Sequence, residues 1–495
     1  MRWYRDLTPA QRRIIAGLLA AVLLVAGGVL WSIWMTIQGW PQASPLPTPP
    51  TPTPSPPTQT PTASPTSTAT PTPSPTPRPT PTPIPTFDPA EAGAIAAEVA
   101  EARGVIQRWS TPLTLIDRVE LLKLLTAHYQ AHPPLALEIR TTLDLLEMWH
   151  WEETASKAGA TPEAAPARDH LTIDTFTQAN YLGAWYVPPE GQIYLRRDWR
   201  RDLTMLRHQI AYAYARAIPE QYGELARLNR ETVTLDHRIA LQAVAEGDAL
   251  MSLWRYAGLE PGSAEAEALT EEVMRALLLR WQPRDPLLAD LSRLTFDLGQ
   301  TFAAAQYQAG GLAALDAALI RPPRSTEQML HPTHYQDNEE PLVLTPLTPD
   351  LGRGWVEIHT ETVGEALLGL TLLEWSNGEI SAAAATNWGG DLLQGWEGPE
   401  GARVVLWQTA WDSGSDAARF YGETLSALPG PLVAGRIQDT TAPASLPQGR
   451  WWANETGALF LSRSSNRVIL VWGVPPDAVE RAALALPFTR PGEED

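Results

Sequence analysis

Apolar residues recur at spacings of three and four along Leu203–Ala217 (LTMLRHQIAYAYARA), where Leu203, Leu206, Ile210, Ala213 and Ala217 form one stripe. That period predicts an amphipathic helix packed against the body of the protein. Asp236–Leu250 (DHRIALQAVAEGDAL) predicts a second, and both carry odd polar residues toward a core. Upstream, the pattern predicts helices over Pro89–Trp109, Thr114–Gln130 and Leu135–Trp149. Glu152–Arg168, rich in Ala, Thr and Pro, reads as a loose connection. Period-two alternation in Leu171–Thr177 and Trp185–Leu195 predicts strands, with a turn at Pro188–Gly191.

Pro219–Thr234 reads as a connection with some helical character, followed by helices over Ala264–Trp281, Asp285–Gln308 and Leu312–Ile320. After Pro341 the pattern shifts. Strands are predicted at Trp355–Thr360, Ala402–Trp411, Ala458–Arg463 and Val468–Val474, and helices at Ser415–Leu428, capped by Asp412 or Ser415, and Asp477–Leu486. The expected class is α+β: a mainly helical domain with a small edge sheet over 88–340, then a small α+β domain over 341–495.

The first 87 residues follow other rules. Ile14–Trp40 holds no charge, and the run over 14–37 has the length of a transmembrane helix. Arg2, Arg5, Arg12 and Arg13 precede it, so residues 1–13 are expected in the cytoplasm and the rest of the chain outside. A cleaved signal peptide, with Gln42-Ala43-Ser44 as a processing region, is the competing expectation; the run exceeds an h-region of about 7–15 residues. Residues 38–87 contain Pro41–Pro85, almost wholly Pro, Thr and Ser, and read as a disordered stalk spanning on the order of 140 Å when extended.

Composition narrows the chemistry. The chain has no cysteine, which excludes disulfides and thiolate metal sites. Its net charge of −19 disfavours nucleic acid and bare anionic membrane surfaces as partners. Tryptophan, at 20 residues, either supplies packing area to a cysteine-free core or forms platforms for sugars, as at Trp149/Trp151 and Trp451-Trp452.

His208 and Tyr212 lie four apart on one helical face, the spacing of the two histidines of HExxH. At the general-base position stands Gln209, which can orient a water but cannot take its proton; Tyr212 is a poor ligand at neutral pH. The surrounding sequence resembles the gluzincin zinc peptidases, in particular a bacterial branch with a Tyr-x-Pro strand before the metal helix. Tyr186-Val-Pro188, Gly191 and Ile193-Tyr-Leu195 match that strand, and Ala245–Asp248 (AEGD) places Glu246 at the third ligand. Phe296–Gln300 (FDLGQ), Phe302, Gly310-Gly311 and Pro322–Tyr335 (PPRSTEQMLHPTHY) extend the likeness, as do Asn387–Asp391 (NWGGD) and Thr409–Tyr421 (TAWDSGSDAARFY), so that it covers about residue 90 to the end.

The resemblance implies a zincin-like fold whose metal site is degenerate: His208 and Glu246 kept, Gln209 and Tyr212 changed. The expected function is a membrane-anchored extracytoplasmic pseudopeptidase, without cofactor, holding a peptide, a wall component or a protein partner in the old cleft. The alternative is an active zinc peptidase with His208 and Glu246 joined by His331, His334 or Asp248. His331 and His334 have HxxH spacing, but Pro332 between them argues against a regular helix. A cell-surface carbohydrate-binding or adhesion module is a third expectation, resting on the stalk and the tryptophans.

Overall fold

A computed structural model describes residues 87–486 except 106–110, 147–174, 189, 222–224, 226–230, 232–233, 279–285, 377–381, 428–437, 447 and 456. The chain divides into two units, Met1–Thr80 and Pro81–Asp495, and the described residues all belong to the second. The expected anchor at 14–37 and the stalk lie outside the described residues. Among the described residues no helix is long and apolar enough to cross a membrane.

The first half is mostly helical: α1 (Glu91–Arg103), β1 (Leu113–Ile116), α2 (Arg118–Ala131), α3 (Leu135–Leu146), α4 (Thr175–Tyr181), β2 (Ala184–Val187), β3 (Gln192–Arg196), α5 (Leu203–Ala217), α6 (Leu235–Tyr256), α7 (Ala264–Leu278) and α8 (Pro286–Ile320). Two short helices follow, α9 (Thr326–Leu330) and α10 (Pro332–Asp337). The second half holds β4 (Val356–Glu361), α11 (Gly364–Trp375), β5 (Trp388–Glu397), β6 (Arg403–Trp411), α12 (Gly414–Ala427), β7 (Gln438–Thr440), β8 (Arg450–Ala453), β9 (Ala458–Ser464), β10 (Arg467–Val474) and α13 (Pro476–Leu484).

Helix starts follow local polar chemistry. Asp202 caps α5 by accepting from the Thr204 and Met205 amides, and Thr234 caps α6 by accepting from the His237 amide. The expected helix from Thr114 is corrected: Leu113–Ile116 is a strand, parallel to β3, and the helix starts only after Asp117, which forms a capping box with Glu120. The expected strand at Leu171–Thr177 is corrected where it is described, since Thr175–Thr177 opens α4, which docks through Gln178 to the Leu277 carbonyl. Ser413, rather than Asp412 or Ser415, accepts from the Asp416 amide at the start of α12. The helices predicted before and after Gly310-Gly311 form α8, with non-helical backbone at both glycines.

Sheet order is β1-β3-β2 in the small sheet, with β2 at its edge, and β4-β5-β6-β10-β9-β8-β7 in a larger antiparallel one. Alternate residues of β10 serve two cores: Val468, Leu470 and Trp472 face α11, α12 and the helical half, while Ile469 and Val471 face α13. The first of these cores also contains Leu235–Ala245 of α6 and Phe302 of α8, so helices and sheet are packed around common apolar residues. Apart from half-buried Trp355, the tryptophans among the described residues are buried, and they form no exposed row of rings.

α6 is buried along most of its length and crosses α8 at a glycine pair. A Cβ on Gly247 would stand 2.2 Å from the Gly299 carbonyl oxygen, and a Cβ on Gly299 would stand 2.2 Å from that of Ala243. Gly247→Ala or Gly299→Ala is therefore expected to destabilise by roughly 1–3 kcal/mol or more through overpacking. Gly93→Ala, on an exposed face of α1 with nothing within 4 Å, should instead gain up to about 1 kcal/mol. Urea denaturation of the three variants checks this; equal effects at 93 and 299 would refute the close crossing.

Candidate functional site

A cavity of about 610 Å³ opens between β2, α5 and α6 on one side and α2, α3, α7 and α8 on the other. Its size is that of a ligand pocket. Trp185 and Tyr186 of β2, Tyr129 of α2 and Phe296 of α8 give it aromatic walls, and Pro133 and Pro134 form part of the rim. His128 packs edge-on against Trp185 with ring centroids 5.0 Å apart.

Its polar floor is built from residues one helical turn apart. Tyr212 and Arg216 lie four apart on α5 and Glu220 follows four later, so all three reach the cavity. The Tyr212 hydroxyl donates to Glu246 Oε2, and Arg216 Nε donates to Glu246 Oε1 at 3.1 Å. Arg216 also stands 3.6 Å from Glu220. Burial disfavours the charge on Arg216, but Glu246 and Glu220 outweigh it and raise its pKa. Burial, reinforced by Glu220, pushes the Tyr186 phenol up to about 12, so it keeps its proton at neutral pH.

The four positions of the degenerate motif are not brought together. Tyr212 and Glu246 meet in the cavity, but His208 is outside its lining and turns toward α7, its Nδ1 3.3 Å from Glu272 Oε1. Gln209 is buried; its Oε1 accepts from the Gly183 amide at 2.5 Å and its Nε2 donates to the Tyr181 carbonyl at 3.1 Å. It therefore ties α5 to the start of the edge strand. As arranged, this set does not fit zinc, because both oxygens of Glu246 accept from donors, one of them a guanidinium, and His208 lies outside the cavity lining.

The alternative ligands are engaged elsewhere. Asp248 is buried against Arg103, whose Nε donates to its Oδ1 at 2.8 Å, and Arg103 also binds Asp316. His331 ends α9 and precedes Pro332, the first residue of α10, so the HxxH pair is bent around a helix junction. His331 Nε2 lies 2.8 Å from Glu365, and His334 Nδ1 lies 3.1 Å from Glu339 and 3.5 Å from Glu327. Among the described residues no group of three or more His, Asp or Glu is placed to hold a metal ion.

These histidines border an acidic cluster at the seam between α6, α9 and the larger sheet. Asp236 Oδ1 accepts from the Thr326 amide and hydroxyl, and Asp391 accepts from the Val363 and Gly364 amides. Gly364 has φ +82° and a Cβ there would overlap the Asp236 carboxyl, so only glycine brings α11 this close. Burial is the main cause of raised pKa at Asp236, to about 8, and at Glu327, to about 9, where Glu365, Asp412 and Glu339 add repulsion. Burial likewise carries Asp391 to about 7.

Arg216, Glu220, Arg238, Gln242 and Ser292 line the cavity yet lie outside the HExxH-like reading. Arg216 carried a legible signal, a cation inside the apolar run YAYARA one turn after Tyr212. Ser292 carried none.

Comparison with known proteins adds one match: a family model described as a domain of unknown function (DUF8575) covers residues 353–483. That span coincides with the larger sheet and its helices, from just before β4 to near the end of α13. No curated protein and no solved structure was found to match the chain.

The seam makes stability depend on pH. Asp236 and Glu327 hold protons in the folded state that the unfolded chain releases above about pH 4, so the stabilisation is full below that pH and is lost as pH rises through about 8 to 9. The slope is up to about 1.4 kcal/mol per pH unit for each extra proton. His331, raised mainly by its hydrogen bond to Glu365, contributes in the same direction. Urea midpoints should fall between pH 5 and 9, and Asp236→Asn should flatten the fall; a rise over that range would contradict the assignment.

Proposed function

We propose that this chain is a membrane-anchored, extracytoplasmic pseudopeptidase: a gluzincin-like cleft that holds a peptide segment without cutting it. The observation that carries the reading is the Arg216–Glu246–Tyr212 cluster. The carboxylate that the resemblance assigns to zinc is bound instead by a guanidinium and a phenol. The general-base position is a glutamine used to fasten the edge strand. What remains is a preformed cavity with aromatic walls, bordered by an edge strand, which suits binding more than hydrolysis. On this reading the anchor at 14–37 and the stalk set this cleft outside the cytoplasmic membrane.

The purified full chain, incubated with a random peptide mixture and analysed by mass spectrometry, is expected to retain peptides and release no cleavage products. Chelator-sensitive cleavage would overturn the reading. The cation-exchange argument has its own test by calorimetry with zinc. Gln209→Glu with Tyr212→His should not create a zinc site while Arg216 remains, whereas adding Arg216→Met together with Glu272→Gln, which frees His208, should. Tight zinc binding by the double variant would show that Arg216 is no obstacle.

A further inference from the structure

Two histidines stand together at the rim of the cavity, apart from the degenerate motif. His128 and His132 lie four residues apart at the end of α2, where His132 is the C-cap, and both line the cavity. Side chains at that spacing share one helical face, the arrangement by which a helix offers two imidazoles to one metal ion. The pair is held in place. His132 has left helical backbone angles, at φ −132° and ψ 82°, yet its amide still donates to the His128 carbonyl at 2.7 Å. Pro133 follows and keeps the His132 backbone out of the α region. The His128 ring packs edge-on against Trp185 and Tyr129, with centroids 5.0 Å and 5.4 Å apart.

The spacing of the rings fits a shared ion. A metal about 2.0 Å from an imidazole nitrogen lies about 3.2 Å from the ring centroid, so two imidazoles at a tetrahedral angle have centroids about 5.2 Å apart. The His128 and His132 centroids are 5.1 Å apart, with the planes inclined by 31°. The His331 and His334 rings have a similar separation, 5.3 Å, but their nitrogens face Glu365 and Glu339 at the seam, and His334 Nδ1 is buried. His132 is exposed and His128 half-buried, so an ion can reach this pair from solvent. Imidazole suits zinc, copper and nickel, whereas magnesium and calcium take oxygen ligands.

We propose that His128 and His132 form a site for a divalent transition-metal ion at the mouth of the cavity. Only two side chains hold the ion, one fewer than in a catalytic zinc site, so its other positions carry water and stay open to a donor group of whatever occupies the cavity. The site does not depend on the pseudopeptidase reading, since neither histidine belongs to the HExxH-like set.

The test is calorimetry of the full chain with copper(II), which heads the divalent series at nitrogen ligands, and with magnesium as control. Copper should bind, with nitrogen ligation in its electron paramagnetic resonance spectrum, and magnesium should not. His128→Ala or His132→Ala should each weaken the tightest copper site at least about tenfold, because a two-point hold becomes a one-point hold. Gln130→His combined with His132→Ala keeps the histidine count but moves the second imidazole off the shared face, and should not restore binding. His334→Ala should leave it unchanged. Undiminished copper binding in the two alanine variants, recovery with the shifted histidine, loss with His334→Ala or no copper binding at all would each overturn the site. Zinc held by this pair is present in the wild-type chain as well, so it does not mask a site gained by the α5 variants.

Discussion

The fold depends on how closely α6 and α8 approach each other. α6 is enclosed by α1, α5 and α8 and packs through its first turns against the sheet half, so its backbone has little freedom to move aside. Gly247 and Gly299 remove the side chains at the crossing, and the two backbones meet where any Cβ would collide. Three polar positions on α6 depend on that crossing. Asp236 reaches the seam with the sheet, Glu246 reaches the cleft, and Asp248 reaches Arg103. A helix this deeply buried can carry three carboxyl groups only because each has a donor aimed at it, and Asp236 holds its proton as well.

In the cleft the carboxylate of Glu246 is paired with a guanidinium and a phenol. A zinc ion draws ligand electrons, lowers the pKa of a bound water and keeps a position open for substrate. A guanidinium satisfies the carboxylate electrostatically but has no open coordination position, and Arg is never deprotonated at working pH. Arg216 therefore balances the charge of Glu246 without offering an open coordination position.

The helical skeleton was legible because its signals are local and strong. Leu203–Ala217 is a helix with the boundaries that its periodicity predicts, and β2 and β3 lie on either side of the expected turn. Short elements set by tertiary pairing were harder to read. β1 is only four residues long, and its strand state comes from parallel pairing with β3, which leaves no periodic mark in LTLI. α11 is apolar on nearly all faces because it is enclosed between the helical half and the sheet, so it has no amphipathic stripe. At the site, motif spacing located Tyr212 and Glu246 but assumed that His208 would join them. Helical spacing places Cβ atoms on a common face without fixing where a long side chain turns, and Glu272 on α7 captures this imidazole.

The matched family span, 353–483, describes the sheet half but not a self-sufficient core. Leu367, Leu372 and Trp375 on α11, with Trp388, Leu393 and Trp407 on the sheet, belong to one apolar cluster with Leu235, Ile239 and Leu241 of α6 and Phe302 of α8. Asp236 of α6 meets Thr326, and Thr326 in turn accepts from the Ala366 amide, so the polar seam is shared as fully as the apolar one. Cutting the chain near residue 353 would expose the apolar face of α11 and strip partners from buried groups at the seam, each unmatched group costing on the order of 1–3 kcal/mol. In this chain the sheet half is thus a second wall of the helical core rather than an appended module. Any ligand role assigned to it has to be argued together with α6, the helix that also positions Glu246.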